Sequence, residues 1–233
     1  LLLDPAPFDI FRDQTCQIKK QTQKNDLPSQ KFVRQIAVLS LNENPFYAFF
    51  GPIAVMGWVN LGFHPIVFVT PGVPDSVIEA ISRAGGGVFV ITDKWKHDPQ
   101  RVQLMQSVRL LGALLPGVPS DATVTTADID IFPLNRDVFN PSKYTKDEFH
   151  VQGNHPATVQ YQEYPISYLT ATSSLWKKVL GFTQFRPALE ALETATNKKR
   201  DWNFDQVFVY SKVQQSKVQT RLHPWNDNLR IDF

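Results

Sequence analysis

Apolar residues in the first half of the chain gather in short unbroken runs, separated by stretches in which they recur at helical spacing. FVRQIAVLSL (32–41), IVFVT (66–70), VFVIT (88–92) and TVTTADIDI (123–131) are rich in β-branched and aromatic residues and show little polar alternation. Such runs predict strands buried on both faces. Three helices are predicted between them. The first covers 46–61, apolar throughout, with Asn44 as N-cap and Pro45 at the first helical position. Asp75 opens the second, SVIEAISRA, which Gly85, Gly86 and Gly87 stop. Asp98-Pro99 starts the third, which runs to about residue 115 with Val102, Met105, Val108 and the run 111–115 in helical register. This alternation predicts an α/β fold, a Rossmann-type sandwich whose mostly parallel central sheet is flanked by helices. In such sheets ligands bind beyond the carboxyl ends of the strands.

The second half is less regular. Residues 140–165, rich in Asn, Gln, His, Tyr and Pro, predict loops with short strands; 166–171 predicts a strand, 173–180 a helix ended by Gly181, and 187–195 another helix. Residues 201–213 stay open between a strand, suggested by VFVY, and a helix capped near Asp201 or Asp205. No repeat or composition break marks a second domain. The expectation is one domain over 1–233: an irregular arm at 1–30, a first half at 32–131 and a second half at 132–233.

Composition narrows the function. With 42% hydrophobic and 20% charged residues a packed core is expected. A formal net charge of +2 gives no basic footprint for nucleic acid. The single cysteine, Cys16, excludes an internal disulfide and a multi-cysteine zinc site. The one Asn-x-Ser sequence with a blocking proline is Asn140-Pro141-Ser142, and no unblocked glycosylation acceptor occurs. Both facts lean toward a cytoplasmic compartment. A Golgi lumen stays compatible if an anchor precedes Leu1. No apolar run reaches the ~18 residues of a membrane span; the stretch 46–61 is broken by Gly51, Pro52, Gly57 and Asn60.

The most informative chemistry is Asp128-Ile129-Asp130 at the end of the fourth strand. Side chains at i and i+2 project to the same side of an extended strand. Two carboxylates there can converge on a divalent cation that bridges them to a phosphate. The competing reading is that they cap the following turn.

On this motif and its place after repeated strand–helix units, the chain resembles glycosyltransferases of the GT-A fold over roughly 32–225. The resemblance implies a nucleotide-sugar donor, with UDP the expected nucleotide, a glycan acceptor, and Mn²⁺ or Mg²⁺ as cofactor. Residues 32–131 would then form the nucleotide-sugar-binding half and 132–233 the acceptor-binding half. Carried over, Asp130 is the metal ligand, and Asp128 a ribose contact or second metal ligand. His223, in Leu222-His223-Pro224-Trp225, resembles the C-terminal histidine that returns to the same metal; the lysine and glycines that accompany it in one retaining subgroup are absent. Asp205, with Asp201 in reserve, resembles the acceptor-side carboxylate that serves as general base in inverting members. N-terminal capping is the alternative for both.

The loop Ser40, Leu41, Asn42 after the first strand is expected to hold the nucleotide, unless it is a plain turn into the helix capped by Asn44. Lys94 and Arg101, near Trp95 and Lys96, are candidate nucleotide or phosphate contacts, with solvated surface charge as the alternative. Gly85, Gly86 and Gly87 lack a phosphate-loop lysine and read as a helix stop. His150 and His155 have poor metal-ligand spacing. Tyr161, Tyr164, Tyr168 and Trp176 can line a sugar groove or fill the core. Two other readings stay open. One is a haloacid-dehalogenase-type phosphatase, whose D-x-D usually lies on the first strand. The other is a non-catalytic nucleotide- or carbohydrate-binding protein on the same scaffold.

Overall fold

The computed structural model describes residues 35–91, 98–135, 138–139, 145–153, 160–198 and 202–223. The first four strands are β1 (Gln35–Leu41), β2 (His64–Val69), β3 (Gly87–Val90) and β4 (Thr123–Thr126). Helices α1 (Pro45–Asn60), α2 (Asp75–Arg83) and α3 (Asp98–Val108) connect them. The second half adds β5 (Glu148–Gln152), β6 (Leu169–Thr172), α4 (Ser173–Leu180), α5 (Phe185–Lys198), α6 (Phe204–Ser216) and β7 (Gln219–His223). All seven strands form one sheet in the order β3-β2-β1-β4-β6-β5-β7. Only β6 runs against its neighbours; the β1–β2, β1–β4, β2–β3 and β5–β7 pairs are parallel.

The expected α/β class and mostly parallel sheet are thus observed, and the reason lies in the strand sequences. In β1, Ile36 and Val38 join the core beneath α3 and the later helices, while Ala37, Leu39 and Leu41 join the core beneath α1 and α2. A strand covered on both faces has no use for polar alternation, hence the continuous apolar runs. The Asn44 side chain accepts a hydrogen bond from the Phe46 N–H at 3.0 Å, so the predicted cap of α1 forms. Of the stretch left open between strand and helix, residues 204–213 fall in α6, whose side chains Phe204, Val209 and Val213 pack into the core.

Two boundaries in the first half differ from the sequence expectation. The third helix gives way after Val108 to a 3-10 segment, Arg109–Leu114. The reason is a close approach: a Cβ at Gly112 would stand 2.4 Å from a methyl of Val38, so the tightened backbone lies directly on β1. The fourth strand ends at Thr126 instead of 131. Its last ladder contact beyond the strand is Ala127 N–H to Val38 O at 2.9 Å, after which the chain turns away. Within the region expected to hold loops with short strands, β5 is one such strand, buried along its whole length.

Candidate functional site

The strand order fixes where a ligand can enter. The chain steps outward from β1 to β3, then crosses back to place β4 on the other side of β1. The chain segments leaving β1 and β4 diverge, and the crevice between them is the expected binding place. A cavity of about 340 Å³ opens there. Its walls are Ser40, Leu41 and Asn42 at the exit of β1, Tyr47 of α1, and Asp128 to Ile131 after β4. Val102, Met105, Gln106 and Arg109 form a third wall along one face of α3 and its continuation. Pro165, Ile166 and Ser167, together with Trp202, Asp205 and Gln206, complete it.

The charge centre of this cavity is Arg109, only 5% exposed. Its guanidinium Nη1 donates to Asp128 Oδ1 in a close contact and to the Ala127 carbonyl at 3.1 Å. Nη2 donates to Asp205 Oδ2 at 3.2 Å. Ser167 Oγ donates to the other oxygen of Asp128 at 2.6 Å. Asp205 Oδ1 accepts the backbone N–H of Gln206 at 2.9 Å. Ser167 is aimed by an unusual turn: Tyr168, buried, takes a φ of 72°, which swings the chain from the cavity wall into β6.

These contacts separate three carboxylates by environment. Burial works against ionisation of Asp128, but Arg109 and the Ser167 hydroxyl outweigh it and hold that carboxyl below its usual range. Burial raises Asp205, and Arg109 offsets only part of the effect. Burial raises Asp130 too, and the adjacent Asp128 charge adds to it. Among the described residues lining the cavity, three aspartates face a single guanidinium, a formal excess of two negative charges when all are ionised.

The sequence-derived candidates distribute unevenly over this geometry. Ser40, Leu41, Asn42, Asp128, Asp130 and Asp205 all line the one cavity. Asp128 and Asp130 do so from a turn, not from a strand, because β4 stops at Thr126; Asp128 turns in to Arg109 while Asp130 is half-buried in the wall. His223 does not join them. It ends β7, where its Nε2 shares a hydrogen bond of 3.0 Å with His150 Nδ1, and the two rings stack. From Thr126 through Tyr168 and Gln152 to His223 the chain crosses three strand spacings, about 14 Å. The expected aspartate–histidine ligand set is therefore not assembled, and no group of three metal-ligating side chains occurs among the described residues. Asp201 and Lys94 lie outside the described residues, as does His155. Arg101 falls in the first turn of α3, with its side chain outside that description. Of the aromatic candidates, Tyr164, Tyr168 and Trp176 are core, and Tyr161 is exposed but not on the cavity wall.

Arg109, Tyr47, Ser167, Trp202 and Gln206 are cavity residues that no sequence expectation named as ligand contacts. For Arg109 a signal exists: an arginine inside the apolar run 108–115 must be buried with an acidic partner. The partner's identity, 19 and 96 residues away, is not local information.

No protein-family model matches the sequence, and no curated protein matches it. Solved structures do. The fold is similar to that of galactosyltransferase LgtC in complex with donor and acceptor sugar analogs, with a TM-score of 0.53 at 11% identity, over 81% of this chain and 73% of that one. An active-site glutamine-to-glutamate variant of LgtC superposes with a TM-score of 0.50 at 14% identity, over 82% and 73% of the respective chains. At such identity the likeness shows a shared α/β fold.

Proposed function

We propose that this protein is a glycosyltransferase that moves a sugar from a nucleotide-sugar donor, a UDP-sugar on the family resemblance, to a carbohydrate hydroxyl, with Mn²⁺ or Mg²⁺. One observation carries the reading: the cavity at the β1/β4 crevice sets three aspartates against one arginine. A site with that surplus favours a divalent cation and the diphosphate it accompanies.

The donor set fits such a cation. Mg²⁺ and Mn²⁺ prefer oxygen, and Mg²⁺ is commonly held by one or two carboxylates, the rest of its shell coming from water and substrate phosphates. Asp130, which makes no ion pair among the described residues, is the principal ligand; Asp128, with both oxygens engaged by Arg109 and Ser167, supplies the neighbouring negative charge. When bound, the cation neutralises the charge that develops on the departing diphosphate. The remaining work falls to protein groups. Ser40, Leu41 and Asn42 offer backbone and side-chain polar groups to the base and ribose, and the Tyr47 ring offers a stacking face. Arg109 lies fixed between Asp128 and Asp205, so its charge is positioned before any donor arrives. Gln206 can hydrogen-bond hydroxyls of the transferred sugar. In this reading Asp205 is a positioning residue: both its oxygens are engaged, one by Arg109 and one by the Gln206 N–H. His223 has no part in it. The phosphatase alternative needs the first aspartate free as a nucleophile, and Asp128 is tied by Arg109 and Ser167.

The test is calorimetric titration of UDP with and without Mn²⁺, on the parent chain and on Asp130→Asn. The expected result is a Mn²⁺-dependent gain in UDP affinity of tenfold or more that the substitution removes. Equal UDP affinity in all four titrations overturns the reading.

A further inference from the structure

Helix α1 carries an apolar surface that the cavity does not use. Its sixteen residues include no charged side chain. Phe46, Phe49, Ile53 and Met56 are 64%, 70%, 43% and 53% exposed. Their spacing of three, four and three residues aligns them in one stripe along the helix. The stripe continues onto the loop after Asp130. The Phe50 ring meets the Phe132 ring at a centroid distance of 5.8 Å, and Pro133 packs so closely on Gly57 that a Cβ there would stand 3.1 Å away. Leu134 follows, 54% exposed. Tyr47 and Ile131, which flank this surface on the helix and on the loop, both line the cavity. The patch therefore begins where the cavity opens.

Size and charge decide what covers it. Taking ~200 Å² for each large side chain, the exposed part of the five is on the order of 600 Å². A stable protein–protein interface needs about 800 Å² from each partner, with polar groups at its rim to set the register. The patch offers under three-quarters of that area, and α1 supplies no charge of its own to fix a register. A bilayer demands neither matching shape nor register, and its attraction grows simply with the apolar area inserted. No described helix is long and apolar enough to cross a membrane; α1, at ~24 Å, suits lying along a surface.

We infer that α1 and Leu134 form a docking face for an uncharged phospholipid bilayer, seated by partial insertion of Phe46, Phe49, Ile53 and Met56 among the acyl chains. Given the glycosyltransferase reading, on which this one consequence rests, the cavity mouth is then held at the membrane surface.

The test is co-sedimentation of the full 233-residue chain with phosphatidylcholine vesicles. The parent chain partitions to the vesicles, equally at low and high salt. Phe49→Ser/Met56→Ser reduces the partition by about tenfold. Phe49→Leu, which keeps the apolar area, retains it. The single Phe49→Ser, at the most exposed position, moves the same way with the least disturbance to the helix. UDP titration of the same variants stays at the parent value, so loss of vesicle binding and failure of the glycosyltransferase reading are read separately. Three results overturn the inference. One is a parent chain that stays in the supernatant, or variants that partition as it does. Another is partition that requires anionic lipid and disappears with salt. The third is a dimer in light scattering that Phe49→Ser/Met56→Ser dissolves, which assigns the face to a second copy of the chain.

Discussion

Two polar clusters stand on the same sheet and differ in one respect. Around Arg109, one guanidinium serves Asp128 and Asp205 directly, and a third carboxylate, Asp130, shares the cavity. At the β5–β7 edge, Arg221 meets Glu148 at 3.1 Å, Thr145 and Gln219 also donate to Glu148, and His150 and His223 share a hydrogen bond. Both histidines are held below their usual pKa, chiefly by burial, so they favour the neutral form. The edge cluster is balanced within itself. The cavity cluster is short of positive charge and has room to receive it. A surplus of charge beside an open volume, more than a count of ionisable groups, marks the site in this fold.

Arg109 gives the sharpest way to break this contrast. Arg109→Met leaves two buried carboxylates facing each other without a cation, and is expected to cost about 3–5 kcal/mol of stability in urea unfolding. Arg109→Lys recovers only part of it, because an ammonium cannot fork between two acids. Next is Asp130→Ala, which on the proposed function is expected to lower metal-dependent turnover by about 10²–10³ and to leave the fold intact in circular dichroism. Because burial raises Asp130, its ionisation costs stability at neutral pH, and the thermal midpoint of this variant is expected to hold or rise.

Acid affects the edge and His64 more than the cavity. His64 is lowered to about 4 by burial, and His150 and His223 are lowered in the same direction. A base whose folded pKa lies below its unfolded value contributes stability above about 6.5 that is lost as pH falls toward the folded value. For His64 the unfolding free energy therefore declines from pH 6.5 to about 4 by at most ~1.4 kcal/mol per pH unit, and His150 and His223 act in the same direction. Asp205 and Asp130 act oppositely: their penalty is relieved as pH drops through their raised pKa values. His64→Gln is expected to flatten the slope. A smaller effect separates the clusters: His223→Ala keeps turnover within about twofold, whereas a metal ligand costs 10-fold or more. Smallest of all, Arg186→Ala removes an exposed i,i+4 pair with Glu190 and changes stability by under ~0.5 kcal/mol.

Much of this was legible in the amino-acid sequence where the information is local. The runs that became β1 to β4, the Asn44 cap and the residues at the β1 exit follow from periodicity and turn chemistry over a few neighbours. Asp128 and Asp130 could be placed at the sheet's rim because a strand precedes them, but the end of β4 depends on where Val38 stops pairing. The strand β5, EFHVQ, hides its character: Glu148, His150 and Gln152 look like loop residues until Thr145, His223 and Gln219 supply their partners. His223 resembles the family's C-terminal metal histidine in sequence, but nothing local marks it as the end of β7 and the partner of His150. Nothing near Asp205 in sequence names Arg109 as its companion.

Gly112 draws these threads together in an unexpected place. Because its bare Cα rests against Val38, the segment that begins with Arg109 is seated at a fixed height above β1. Any added methyl lifts that segment, and the guanidinium travels with it. Robustness and chemistry are thus governed by the same contact, and drift at a position that never meets a substrate is penalised twice.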